Sequence, residues 1–491
     1  MDRGFRKRLL PALAAPLLAL GGCAGDADEA LGVAVVGAPS SPFETGSRLP
    51  LAAQLVRAAS IEGLVGFDEQ GRVVPALAER WIVTDDGLSY IFRLREGKWP
   101  DGKPLSGETA SAVLRKTLAD MRGTPLAEEL GGIRAIIPRT GRVVEIQLDR
   151  PNPNLLQLLA QAELGLGRNG RGTGPLRLRR EKDVALLIPV SPESRGLPAD
   201  PEWSVRIRRV RLQAMPSVRA IAAFDAGEAD VVLGGSQANY PLARGVGIAR
   251  ASVVIDPVAG LFGLIVTREE GLLARPENRE ALAMAIDRDA LSSAIDAEGW
   301  TPTTRVAAAG AEGDTGAVGE RWAGESLAER QARAAERIAR WSAGGAAPRL
   351  RIALPAGPGS DLVFDRLAKD FGAIGVETRR VGSEGEAELR LVDAVARQNH
   401  LAWYLGQLSC ATRRGACSST ADVVAARAAA EPDAVKRADL YADAEAELTR
   451  ANAYIPLGPP LRWSLLRRGA SGFAANRWSI HPLIALATIP K

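Results

Sequence analysis

The chain is 491 residues long, with 62 lysines and arginines against 58 aspartates and glutamates, 46% hydrophobic residues, three cysteines and two histidines. That length exceeds what one hydrophobic core usually supports, so at least two lobes are expected. The formal charge of +4 is carried by the N-terminus: residues 1–22 hold four cations and one anion, and the remainder balances at +1. Such a balance gives no indication of nucleic-acid or acidic-lipid binding.

Residues 1–22 read as an export signal. Arg3, Arg6, Lys7 and Arg8 form a basic start, Leu9 to Leu20 an apolar run too short to cross a bilayer, and Leu20-Gly21-Gly22-Cys23 puts small residues ahead of a cysteine. This is the pattern of a lipobox. Cleavage before Cys23, with acylation of its sulfur and new amino group, would leave a membrane-anchored lipoprotein in the periplasm. A plain signal with a chance cysteine is the alternative. Gly25-Asp26-Ala27-Asp28-Glu29 makes 23–30 a hydrophilic tether, and no later apolar run reaches the length of a span.

Leu31 to Gly37 has the composition of an opening strand, Ala38-Pro39-Ser40-Ser41-Pro42 breaks it, and helix spacing resumes at Leu51 and Leu55. Beyond Ile61 come short elements punctuated by Gly71 and Asp86-Gly87. Tyr90, Phe92 and Leu94 alternate with Ser89, Ile91 and Arg93, which predicts a strand with one buried face. Val144, Ile146 and Leu148 repeat the pattern in a strand that Pro151-Asn152-Pro153 stops. A turn at 172–175 precedes a strand at 184–189. Arg206 to Arg211 alternates cations with apolar residues and reads as a solvated strand face. The helix from Val218 to Asp225 should end on Gly227 as a left-handed C-cap, before a strand at 230–233. Leu282, Ala285 and Ile286 stand at helical spacing, with Asp287 placed to cap the following turn. Strand, helix and strand then follow at 353–359, 362–374 and 376–381. Asp433 opens a helix bearing Leu440, Ala444 and Leu448, ahead of Tyr454-Ile455-Pro456-Leu457.

The wording of these segments carries a resemblance. Glu62-Gly63-Leu64, FDEQGRVVPALAERW (67–81), DDGLSYIFRLREG (85–97) and DGKPLS (101–106) are similar to the opening signature of the family 5 extracytoplasmic solute-binding proteins. These are the oligopeptide, dipeptide and nickel binding proteins of ABC importers. GTGPL (172–176), AIAAFDAGEADVVLGG (220–235), the passage from Leu261 to Leu291 and YIPL (454–457) extend the resemblance over residues 31–475.

The resemblance implies an α/β, two-lobed fold of the periplasmic-binding-protein type II kind. Lobe one would hold 31–265 and 459–491, with a subdomain inserted at about 50–160; lobe two would hold 266–458. A peptide-like or other small organic solute would be enclosed between the lobes, and hinge closure would present the closed form to an ABC permease. Neither catalysis nor a cofactor is implied, and the protein would act as a monomer. A stand-alone sensor or periplasmic chaperone that keeps the fold is the alternative. In peptide-binding members a tryptophan is followed within a few residues by an aspartate that pairs with the peptide's amino group. Here Trp403 and Tyr404 hold the tryptophan region, and no carboxylate comes before Asp422. An unpaired buried ammonium is costly. The cleft should therefore prefer a neutral or N-blocked ligand, held by Phe262, Trp403, Tyr404 and Ser409 and by the loop at Ser40 and Ser41; a core role for Trp403 and Tyr404 is the other reading.

Other chemistry is poorly served. GLGRNG (165–170) fits a dinucleotide pattern, but Gly172, Gly174 and Pro175 forbid the helix that the pyrophosphate needs. His400 and His481 form no metal-ligand or triad spacing, and His400 beside Asn399 reads as structural. With Cys23 lipidated, Cys410 and Cys417 are left as an even pair in an oxidising compartment, a disulfide candidate that would close only a small loop. A free buried pair is the alternative.

Overall fold

A computed structural model describes residues 30–245, 251–343, 345–468 and 470–490; the expected signal, Cys23 and tether residues 24–29 lie outside the described residues. Leu31–Val36 is buried along most of its length, as a strand flanked on both sides must be. It pairs in parallel with Val210–Met215 and with Val231–Ser236. The first sheet, of seven strands, runs Ala251–Ile255, Arg462–Arg467, Val231–Ser236, Leu31–Val36, Val210–Met215, Val184–Pro189, Leu176–Glu181. Helix Leu51–Ser60 lays Ala52, Leu55, Val56 and Ala59 into the core of this sheet.

The second sheet has five strands in the order Glu377–Gly382, Arg349–Leu354, Leu389–Val395, Gly260–Val266, Tyr454–Gly458. Helices Pro276–Ala285 and Pro358–Ala373 supply Leu282, Val363, Leu367 and Phe371 to its core. The chain passes between the sheets at 256–259 and again at 459–461. The first passage therefore comes earlier than the expected boundary at 265. Gly260–Val266 is buried almost throughout and pairs with Leu389–Val395, so its apolar sequence alone did not say which lobe it serves. Gly260 opens it at φ +150° against the carbonyl of Ala394, where a side chain would collide.

Between the first helix and residue 166 lies an antiparallel sheet of Ala78–Val83, Ser89–Leu94, Val143–Leu148 and Ile133–Arg139, with a core of its own that includes Phe92, Leu114 and Leu166. The insertion thus starts after Ser60 rather than at about 50, because helix Leu51–Ser60 belongs to the first sheet. Tyr90, Phe92 and Leu94 are all buried, as are Val144, Ile146 and Leu148. Glu62 joins the inserted sheet to the first lobe: it accepts from Arg95 Nη2 at 2.7 Å and from Thr173 Oγ1 at 2.9 Å, and it also pairs with Arg195.

The local stop and start signals act as chemistry requires. Gly227 caps its helix at φ +85°, Asp287 accepts from the Ala290 amide, and Asp433 from those of Val435 and Lys436. Arg206 to Arg211 is not one strand: Trp203–Arg206 is a helical turn, and the strand begins at Val210. Helix Leu327–Ser342, opened by a capping box of Ser326 and Glu329, was not anticipated, although that spacing is a recognised start signal.

Candidate functional site between the lobes

The lobes face each other across the two passages and touch at several separate places. Beside the second passage, Arg462 Nη1 of the first sheet donates to Asp393 Oδ1 of the second at 2.7 Å. Next to it, Gln237 Nε2 donates to the Gly359 carbonyl at 2.9 Å, at the start of helix Pro358–Ala373. On the side of the insertion, Gln398 Nε2 and Arg397 Nη1 approach Glu129 at 3.3 and 3.5 Å, and Asn154 Nδ2 reaches Glu312 Oε2 at 3.3 Å. Arg244 pairs with Asp296. These contacts hold the two lobes together.

Burial shapes the electrostatics there. Removal from water pushes the Glu129 carboxyl up to about 7, against the pull of Arg397 and Gln398. Arg414 is lowered by burial and by the neighbouring cations Arg48 and Arg397. Arg397, in the loop after strand Leu389–Val395, and Arg414, after the turn Cys410–Thr412, therefore present positive charge to the first lobe.

Four of the six expected ligand-contact residues are buried. Phe262 is fully buried within the second lobe, edge-on to Trp300 at 6.3 Å. Trp403 and Tyr404 are 3% and 0% exposed on helix Leu401–Gln407, edge-to-face at 5.0 Å. They belong to the core of that lobe, so no face of either ring is open to a solute in this conformation. Helical spacing put them inward, and an inward aromatic pair looks the same in sequence as a stacking platform. Trp403 Nε1 has no protein hydrogen-bond partner, and burial pushes the Tyr404 hydroxyl up to about 12. Ser41 is buried in the turn after the first strand while Ser40 is exposed there. Ser409 is half-buried and receives the Thr412 amide and hydroxyl on its carbonyl. Asp393, Arg462, Glu129 and Arg397 were missed. Their sequence neighbourhoods carry no motif, because each is defined by a partner far along the chain.

His400 accepts the Ala402 amide on Nδ1 and caps Leu401–Gln407, and burial lowers its pKa. Cys410 and Cys417 are joined, with Cα atoms 5.2 Å apart, and Asp422 accepts the Cys410 amide at 2.9 Å. Among the described residues no group of three or more His, Cys, Asp or Glu is placed to hold a metal ion, and no helix is long and apolar enough to cross a membrane.

Two α/β lobes joined by two crossing segments form the architecture of a hinged solute-binding protein. The model of the bacterial extracellular solute-binding proteins, family 5, matches residues 72–379, and the chain belongs to that family. The structure superposes on OppA of Haemophilus influenzae in complex with a peptide (TM-score 0.78, 17% identity, 94% of this chain and 100% of that one). It also superposes on the murein tripeptide binding protein MppA of Escherichia coli (TM-score 0.77, 18% identity, 94% and 99%). Among sequence relatives, a probable deoxycholate-binding periplasmic protein of Escherichia coli K12 is 35% identical over 117 residues, 20% of this chain and 22% of that protein. A glutathione-binding protein of Escherichia coli O1:K1 is 28% identical over 195 residues, 36% of this chain and 37% of that protein. The chain thus spans less than half the length of these curated relatives in the aligned regions.

Proposed function

We propose that the protein captures a solute outside the cytoplasmic membrane and delivers it, enclosed between its lobes, to the permease of an ABC importer. The observation that carries this reading is the pairing of residues from opposite lobes around the cleft, Arg462 with Asp393 and Glu129 with Arg397, in a chain of this family. Closure is then a population shift that the solute stabilises by bridging both lobes, and no chemical step is needed. Lobe one comprises 31 to about 258 and 461–491 with the insertion, and lobe two the residues between. Cys23 carries the lipid anchor that keeps the protein at the periplasmic face of a membrane, and the protein works as a monomer.

The solute is a peptide-like or other small organic molecule without a free amino terminus to bind. Two features support this. From Leu405 to Ala421 there is no carboxylate, and Asp422 is engaged by the Cys410 amide. Arg397, in the loop after strand Leu389–Val395, and Arg414, after the turn Cys410–Thr412, also stand toward the first lobe, a setting that repels an ammonium group. Ser40 is exposed and Ser409 half-buried, so both are open to a ligand. Calorimetric titration with matched peptides bearing free and acetylated amino termini tests the point. The acetylated series should bind at least as tightly; a strong preference for the free amine, lost when it is neutralised, would overturn it.

A further inference from the structure

A concavity of about 760 Å³ lies wholly in lobe one. It is bounded by helix Leu51–Ser60, the turn Ser41–Phe43, the 98–102 hairpin of the insertion, the 170–174 loop and strand Leu176–Glu181. Five cations line it, Arg57, Lys98, Arg171, Arg177 and Arg195, against the single carboxylate of Glu44. Arg57 and Arg195 are held at its base: Arg57 donates to the Ala162 and Gly165 carbonyls, and Arg195 to the Thr173 carbonyl and to Glu62. Lys98, Arg171 and Arg177 are exposed, and none of their side chains has a hydrogen-bond or ion-pair partner among the described residues. Apolar surface lies among them, with Leu178 37% exposed and Phe43 half-buried, one face of its ring covered by the Arg180 guanidinium at 4.1 Å. The near-neutral balance of the chain after residue 22 conceals this local excess.

Its position in the sheet says what it faces. Leu31, Val210, Leu187 and Leu178 stand in one row across four strands, so the groove lies about 14 Å to the side of the point where the chain enters the fold. Arg177 pairs with Ile188, one residue further toward the end at which the chain enters Leu31. Only residues 24–30 separate Cys23 from Leu31, a reach of at most about 29 Å when fully extended. A bilayer holding Cys23 is thus within reach of this edge of the sheet.

We propose that the groove seats the phosphate headgroup of an anionic phospholipid, holding lobe one against the bilayer that carries the protein's own anchor. The inference rests on the anchoring through Cys23. Lys98, Arg171 and Arg177 supply the charge complementarity, and Phe43 and Leu178 meet the apolar part of the headgroup region. Seated this way, lobe one keeps a fixed orientation on the membrane while lobe two remains able to swing.

The test is hydrogen exchange of the full lipidated chain on vesicles. One set contains about a third phosphatidylglycerol and the other phosphatidylcholine alone, in low salt and in about 0.5 M salt. Exchange in 98–102 and 170–178 should slow several-fold only on the anionic vesicles in low salt. That protection should be lost in the combined variant Lys98→Glu, Arg171→Glu, Arg177→Glu, with exchange in the second sheet unchanged. Equal exchange on both vesicle types, or protection that survives in the variant, would overturn the proposal. Equal protection by inorganic phosphate without vesicles would assign the groove to a soluble anion instead and overturn the lipid reading. A chain that fails to float with either vesicle refutes the anchor, and the proposal with it, in a way distinct from failure of the groove.

Discussion

Arg462 and Asp393 meet at 2.7 Å although they belong to different sheets, one residue beyond the second passage and two before the end of strand Leu389–Val395. Their side chains are 18% and 21% exposed, so the pair is partly shielded from water and spans the hinge itself. A charge pair in this position is placed to bias the angle at which the lobes come to rest.

Replacing Arg462 with alanine should therefore loosen closure without unfolding either lobe. Solute affinity is expected to fall roughly fivefold, about 1 kcal/mol, and the radius of gyration in solution scattering to rise. Asp393→Asn should act in the same direction. Unchanged scattering together with unchanged affinity would show that the pair is passive.

Glu129 makes the lobe contact pH-sensitive. Its carboxyl is raised from 4.5 to about 7 by burial, so the neutral form is favoured where the lobes meet. The stabilisation this represents is fully present below the unfolded pKa and is lost as pH rises through the folded one. Between about pH 5 and 8 the stability of the wild-type chain should fall relative to Glu129→Gln by an amount of order 1–3 kcal/mol, read as a lowered thermal midpoint. Parallel pH profiles for the two proteins would contradict this.

How much of this was legible beforehand follows from the range over which each feature is defined. The period-two faces at Tyr90, Phe92, Leu94 and at Val144, Ile146, Leu148, the C-cap at Gly227 and the N-caps at Asp287 and Asp433 are local, and the sequence announces them. Strand Leu176–Glu181 was missed because, at the sheet edge, four consecutive residues are exposed and the alternation disappears. Trp403 and Tyr404 were open to two readings, and tertiary packing chose the core. Glu129 meets Arg397 across 268 positions, and no window on the chain contains both.

The second lobe contains a buried ionic network. Arg305 joins Asp314 at 2.9 Å and Glu445 at 3.1 Å, all three with side chains no more than 7% exposed. Arg305 holds the Asp314 carboxyl down to about 2, whereas burial raises Glu445. Arg305→Met would leave two buried carboxylates facing each other and should cost about 3–5 kcal/mol. Glu445→Gln, which keeps a hydrogen-bonding group, should cost clearly less. Denaturant titration of the two variants measures the difference, and equal losses would contradict it.

The bond between Cys410 and Cys417 closes a loop with a separation of seven residues. It should add only about 2 kcal/mol, since a short loop loses little entropy on closure. Intact mass after alkylation, with and without reductant, should show two thiols only in the reduced sample of periplasmic protein. Two alkylated thiols without reductant would show that the bridge does not form in the cell.

Capture of a solute between the lobes is tested most directly by native mass spectrometry of the protein isolated from its own periplasm. The account predicts a folded chain carrying one additional small molecule that is released on denaturation, with its occupancy reduced in Arg462→Ala. A folded chain found at its bare mass, in the wild type as in the variant, would contradict it.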